Sequence, residues 1–189
     1  MKKAVLLGDS IRLYGYGPLV PSLLKGDYQI WQPLDNGRFA AYTLRMLFDE
    51  KDNIAGADVI HWNNGLWDIP HLYSDGEIFT PIEEYVRTMK RIAKLLLAVT
   101  PNVIFATSTP VLPANPYNRN SDIEHYNAVL VKELKAMGVA IDDLYSLVYP
   151  HLNDYISSKD LIHLTPLGAE KAADQVCDCI RNATKKAPK

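Results

Sequence analysis

Lys2-Lys3-Ala4-Val5-Leu6-Leu7-Gly8-Asp9-Ser10 opens the chain, and its reading sets the class of the fold. The apolar run Ala4 to Leu7 stops at a glycine and two polar residues, the pattern of a short buried strand ending in a turn. Similar runs bounded by turn residues stand at Val59 to Trp62 and Val103 to Ala106, with a weaker one at Val139 to Ile141. Between them the apolar spacing becomes helical. Over Pro81 to Val99, the residues Ile82, Tyr85, Val86, Met89, Ile92, Ala93 and Leu96 fall on one face. Further helices are predicted from about Ile123 to Met137, stopped by Gly138, and from Pro166 to about Asn182. Strands alternating with helices of this length need parallel crossovers, so the predicted class is α/β, a three-layer α/β/α sandwich around a central parallel sheet. Such sheets hold ligands at the carboxyl ends of their strands, which places the chemistry just after Leu7, Trp62 and Ala106.

Composition narrows the function. A chain of 189 residues, 48% of them apolar, can bury one full core, and a single domain over residues 1–182 is expected. The basic stretch 183–189 is expected to fray as a flexible tail. Twenty Lys and Arg against twenty-two Asp and Glu give no basic field to steer a polyanion, so nucleic acid is not expected as a partner. The apolar run before Gly8 is too short for an export signal or a membrane span, and no integral membrane association is expected. The only cysteines, Cys177 and Cys179, lie too close in sequence for an ordinary disulfide, and a reducing cytoplasm is the simplest inference.

Two segments carry chemistry when taken together. Ser10 presents a hydroxyl where the first strand gives way, and by itself Gly8-Asp9-Ser10 reads as well as a helix cap. Near the other end, Asp160-Leu161-Ile162-His163 sets a carboxylate three residues before an imidazole, just ahead of the helix opened by Thr165-Pro166. A serine hydroxyl needs a base to become a nucleophile, and the base needs a partner to fix its tautomer; this turn supplies both. The other histidines lack such a setting: His61 in a strand, His125 on a helix, His71 and His151 in loops. After the Val59 to Trp62 strand comes Asn63-Asn64-Gly65-Leu66-Trp67-Asp68, which reads as an Asn-Gly turn or as the source of an amide donor for an oxyanion. Leu34-Asp35-Asn36-Gly37-Arg38 is a polar loop whose glycine amide can serve the same end. No Gly-x-Ser-x-Gly elbow occurs, and no histidine pair or cysteine has zinc spacing, so no metal is expected.

These four segments resemble the blocks of the SGNH or GDSL serine hydrolases, in order and over essentially the whole chain. The resemblance implies a flavodoxin-like sandwich with Ser10 as nucleophile and Asp160 and His163 as its partners. It also implies an oxyanion hole made by the Ser10 amide, Gly37 and Asn64, with Asn63 as the substitute for Asn64. Asp9, Trp67 and Asp68 are expected to line the substrate pocket. The usual Gly-x-Asn-Asp of the third block is absent, and Thr107-Ser108-Thr109-Pro110-Val111 is similar to a segment found before the substrate loop in this family. The implied activity is cofactor-free ester hydrolysis through an acyl-enzyme. Trp62, Trp67, Tyr73, Tyr117 and Tyr126 offer rings for stacking on sugars, and there is no long apolar lid segment, so a short-chain ester such as an acetyl group on a carbohydrate is the expected substrate. The alternatives are a lysophospholipase or thioesterase acting on longer acyl chains, or an inactive carbohydrate-binding relative.

Overall fold

Each of the apolar runs forms a strand in the computed structural model, which describes residues 1–185. β1 (Lys2–Leu7), β2 (Tyr28–Trp31), β3 (Val59–Asn63), β4 (Val103–Ala106) and β5 (Ala140–Asp142) build one sheet in the order β2-β1-β3-β4-β5, and every pair is parallel. Register sets Leu7 beside Trp62 and Trp62 beside Phe105, so the three central strands end nearly level. Ala4 to Leu7 and the whole of β4 are buried, as uniformly apolar strands must be when helices cover both faces.

The helices are α1 (Val20–Leu23), α2 (Ala40–Asp49), α3 (Lys51–Ile54), α4 (Ile82–Leu97), α5 (Asn120–Ala136), α6 (Leu144–Val148), α7 (Leu152–Tyr155) and α8 (Pro166–Ala183). On one face α8 packs across β3, β4 and β5 and against α1, α6 and α7; on the other, α2, α4 and α5 form a continuous layer. The fold is therefore the expected three-layer sandwich. Along α4 the predicted face is the one that faces inward, with Tyr85, Met89, Ile92, Ala93 and Leu96 buried. Thr165 caps α8 by accepting the Gly168 amide at 3.1 Å, a bond worth about 1 kcal/mol. The chain runs from β1 outward to β2 and then returns to lay β3 on the other side of β1. That reversal opens a crevice at the carboxyl ends of β1 and β3, from which Ser10 and Asn64 emerge.

Of the elements not expected from sequence, the edge strand β2 and the helix α2 each have a clear physical reason. β2 is an edge strand with only Tyr28 buried, so Tyr28-Gln29-Ile30-Trp31 carries no apolar run to find. α2 has no capping residue of its own: the Asp68 carboxylate, from a distant loop, accepts the Ala40 amide at 3.1 and 2.9 Å. The expected tail also begins too early. Ala183 still belongs to α8, and Thr184 is buried against the Tyr28 hydroxyl while its carbonyl accepts Lys2 Nζ. The rest of the expected tail, residues 186–189, lies outside the described residues. Cys177 and Cys179 are free thiols, and no helix among the described residues is long and apolar enough to cross a membrane.

Candidate active site

His163 reaches Ser10 across 153 positions of sequence, with Nε2 at 2.8 Å from Ser10 Oγ. Its Nδ1 lies 3.1 Å from Asp160 Oδ2. The turn that achieves this is shaped by the same carboxylate that orients the ring: Asp160 Oδ1 accepts the backbone amides of Ile162 at 3.1 Å and His163 at 2.9 Å. Leu161 between them sits at φ 66°, a left-handed conformation seldom adopted by a branched residue and characteristic of functional turns. A short antiparallel bridge anchors the turn, with the Ser157 amide donating to His163 O and the Thr165 amide to Tyr155 O, both at 2.8 Å. Partial burial pushes the Asp160 carboxyl up, but the amides of His163 and Ile162 and the imidazole itself outweigh it and hold it below its ordinary value. An ionised Asp160 accepts a hydrogen bond from Nδ1–H, and the Nε2 lone pair then faces the serine hydroxyl.

Behind Ser10 lies a buried polar lattice. Gly8 adopts φ 151°, and a Cβ there would stand 1.9 Å from Asn63 Oδ1, so both conformation and space demand glycine. Asp9 is wholly buried; its Oδ1 accepts the Ile11 amide at 2.9 Å and Asn63 Nδ2 at 2.7 Å. The Tyr16 hydroxyl donates to Asn63 Oδ1 at 3.0 Å. Loss of solvent raises the Asp9 pKa, against the opposing pull of Asn63, the Ile11 amide and Arg12. Gly65 repeats the demand seen at Gly8, since at φ 150° a Cβ would fall 1.9 Å from Ser108 Oγ. That hydroxyl and the Tyr85 hydroxyl both donate to Asn64 O.

This lattice corrects several expectations. Asn64 is fully buried, and its amide hydrogens lie on Arg38 O and Thr43 Oγ1, both at 2.9 Å, so neither is free for an oxyanion. Asn63, the substitute, is buried and donates from Nδ2 to Asp9 Oδ1 at 2.7 Å. The Gly37 amide donates to Gly8 O at 2.9 Å rather than into the crevice. Asp9 and Asp68 are buried away from the open cavity, Asp68 because it caps α2. The Ser10 amide differs from these. It stands on the first turn of the wide helical segment Ile11–Tyr16, where no preceding carbonyl can accept it, and it makes no hydrogen bond among the described residues.

A cavity of about 680 Å³ opens over Ser10 and His163. Trp67 and Tyr117 line it, as do Tyr14, Phe39 and Phe79, which the sequence did not single out. Tyr14 presents its edge to the His163 ring at 6.1 Å between centroids. Trp62 and Tyr126, expected as stacking platforms, are buried in the core instead, and Tyr73 is exposed but outside the cavity. Two further histidines have carboxylate partners that their sequence positions concealed. His61 Nε2 meets Asp142 Oδ2 at 2.9 Å inside the sheet, and His71 Nε2 meets Asp122 Oδ2 at 2.9 Å between the β3–α4 loop and α5. Neither touches Ser10.

No family model matches this sequence, and no curated protein does. Solved structures do resemble it. An acetyl xylan esterase, AlAXEase, is similar with a TM-score of 0.77 at 20% identity, over 94% of this chain and 99% of that one. A lipase/acylhydrolase from Enterococcus faecalis gives 0.76 at 21% identity, over 99% and 100%. An acetylxylan esterase from Geobacillus stearothermophilus gives 0.77 at 17% identity, over 95% and 94%, and catalytic mutants of it replace a serine and a histidine by alanine. At these identities the likeness establishes a common fold over nearly the whole of both chains.

Proposed function

We propose that this protein is a serine carboxylic-ester hydrolase of the SGNH type, with Ser10, His163 and Asp160 as its catalytic residues. The observation that carries the reading is the continuous relay from Ser10 Oγ through the two imidazole nitrogens to Asp160, at 2.8 and 3.1 Å. His163 Nε2 removes the hydroxyl proton as Ser10 Oγ bonds to the ester carbonyl carbon. The oxyanion of the tetrahedral intermediate meets the unengaged Ser10 amide. The proton on Nε2 passes to the departing alcohol, and water, activated by the same nitrogen, then releases the acid from the acyl-enzyme. The fold shared with esterases and acylhydrolases supports the same reaction class, as do the serine and histidine catalytic mutants made of the Geobacillus enzyme.

The substrate we propose is a short-chain ester, an acetyl group on a carbohydrate. Tyr14, Trp67 and Tyr117 are substantially exposed at the cavity beside the reacting pair, and flat amphipathic rings in such a position suit the faces of sugar rings. Fluorophosphonate labelling tests the mechanism: the wild type should be modified at Ser10, and Ser10→Ala should lose both labelling and about 10³-fold or more in turnover. Undiminished hydrolysis by that variant overturns the assignment. A panel of p-nitrophenyl esters from acetate to palmitate, beside acetylated xylan, tests the substrate; a maximum at long chains would replace the acetyl reading with a lysophospholipase or thioesterase.

A further inference from the structure

Arg12 lies two residues after Ser10 and is completely buried. Its guanidinium donates only to uncharged oxygens: Nη1 to Pro33 O at 2.8 Å and, more weakly, to Gln32 Oε1 at 3.4 Å, and Nη2 to Asp35 O at 2.7 Å and Gly8 O at 3.3 Å. Nε is buried without a partner. Asp9 and Asp35 favour the cation from a distance, but no carboxylate pairs with it directly; taking a cation out of water on such terms is costly, and a fold that needed only bulk here would use an aliphatic side chain. What the guanidinium supplies is a planar fork that reaches two segments at once.

Those two segments are the walls of the site. Gly8 O belongs to the turn that presents Ser10, while Pro33 and Asp35 belong to the irregular stretch between β2 and α2, whose next residues, Asn36, Arg38 and Phe39, line the cavity. The Gly37 amide donates to the same Gly8 carbonyl at 2.9 Å, so the serine turn and the loop are tied twice through one oxygen. The only regular structure near this stretch is an edge strand and the start of a helix capped from elsewhere. The Gly37 amide on Gly8 O and Asn64 Nδ2 on Arg38 O hold the far part of the loop, and the fork holds its near part, Pro33 to Asp35.

We propose that Arg12 is a positioning residue for ester hydrolysis, a two-pronged spacer that holds the 33–39 loop against the Ser10 turn at the separation the transition state requires. The proposal rests on Ser10 being the nucleophile. Lysine cannot replace the fork, because an ammonium is a point donor that cannot serve both loop carbonyls and Gly8 in their fixed geometry.

The test uses Arg12→Lys, Arg12→Met and Arg12→Ala, with active sites counted by fluorophosphonate titration so that turnover refers to folded molecules. Turnover per titrated site should fall by about 10 to 100-fold in Arg12→Met and by less in Arg12→Lys, while KM changes little, since misplacing the site by a fraction of an ångström acts on the transition state. Millimolar guanidinium chloride should restore several-fold activity to Arg12→Ala, and equal sodium chloride should not. If turnover per site stays within about twofold of wild type in Arg12→Lys and Arg12→Met, or if the whole loss lies in the folded fraction with no response to guanidinium, the residue is only structural and the proposal fails. A wild-type Ser10 that does not label overturns the hydrolase reading and this proposal together. A labelled wild type with unaffected variants overturns this one alone.

Discussion

His163 and Asp160 approach Ser10 from a single tight turn with side chains 34% and 45% exposed, whereas Asp9, Asn63 and Asn64 behind the serine are buried and draw partners from Ile11, Tyr16, Arg38 and Thr43. The exposed side carries chemistry and little packing; the buried side carries packing and no group open to substrate except the backbone of Ser10. Substitutions on the two sides should therefore separate into loss of turnover with stability kept, and loss of stability with chemistry kept per folded molecule. His163→Ala offers the largest effect, about 10³-fold or more in turnover with a melting temperature near that of wild type. Asp160→Asn tests the dual role of that carboxylate. It should cost nearly as much, because the wrong tautomer is favoured, and it should loosen the turn as well, since an amide oxygen accepts the Ile162 and His163 amides less strongly than a carboxylate. A His163→Ala variant that also melts far below wild type would break the division.

Gly8→Ala probes the buried side most severely. The added methyl has to displace Asn63 Oδ1 from a fully packed lattice and occupy a conformation that side chains rarely adopt, so about 2–4 kcal/mol of stability should be lost. Asn64→Ala comes next. It leaves Arg38 O and Thr43 Oγ1 without their donor, which should cost about 1–3 kcal/mol in denaturant unfolding. Turnover per folded molecule should fall far less than in His163→Ala; a pure loss of turnover at unchanged stability would return the oxyanion role to Asn64.

The same contrast explains what the sequence made legible. Asp160 and His163 are three residues apart, so one local spacing encodes their partnership, and Gly8-Asp9-Ser10 sits at the end of an apolar run that marks its own strand. The sheet was legible for the same reason: β4, the Ala4 to Leu7 part of β1 and, but for His61, the Val59 to Trp62 part of β3 are apolar because both faces are covered. Asn63 and Asn64 were legible as a turn but not in their roles, which depend on Asp9, Tyr16, Arg38 and Thr43 arriving from elsewhere. Arg12 carries no local signal of its role, since nothing near it in sequence announces that three carbonyls from two segments converge on it. α2 escaped notice because its cap, Asp68, is 28 positions away.

Asp68 gives the smallest and most conditional effect, and it shows how the buried side can still answer to pH. Burial drives its pKa up to about 7, although the Ala40 amide and the Thr80 side chain hydrogen-bond to it and pull the other way. In the unfolded chain the group should titrate near its ordinary value of 3.8. Between these two values the folded protein holds a proton that the unfolded chain releases, so this group's contribution to stability is complete below the unfolded value and falls away as pH rises through about 7. Asp68→Asn removes that titration while keeping an oxygen to accept the Ala40 amide. The stability of the variant relative to wild type should therefore improve by about 2–3 kcal/mol between pH 5 and pH 8, read from urea unfolding at both values. An equal response to pH in both proteins would mean that Asp68 is already ionised at pH 5, and that the α2 amide at Ala40 stabilises the carboxylate enough to offset its burial.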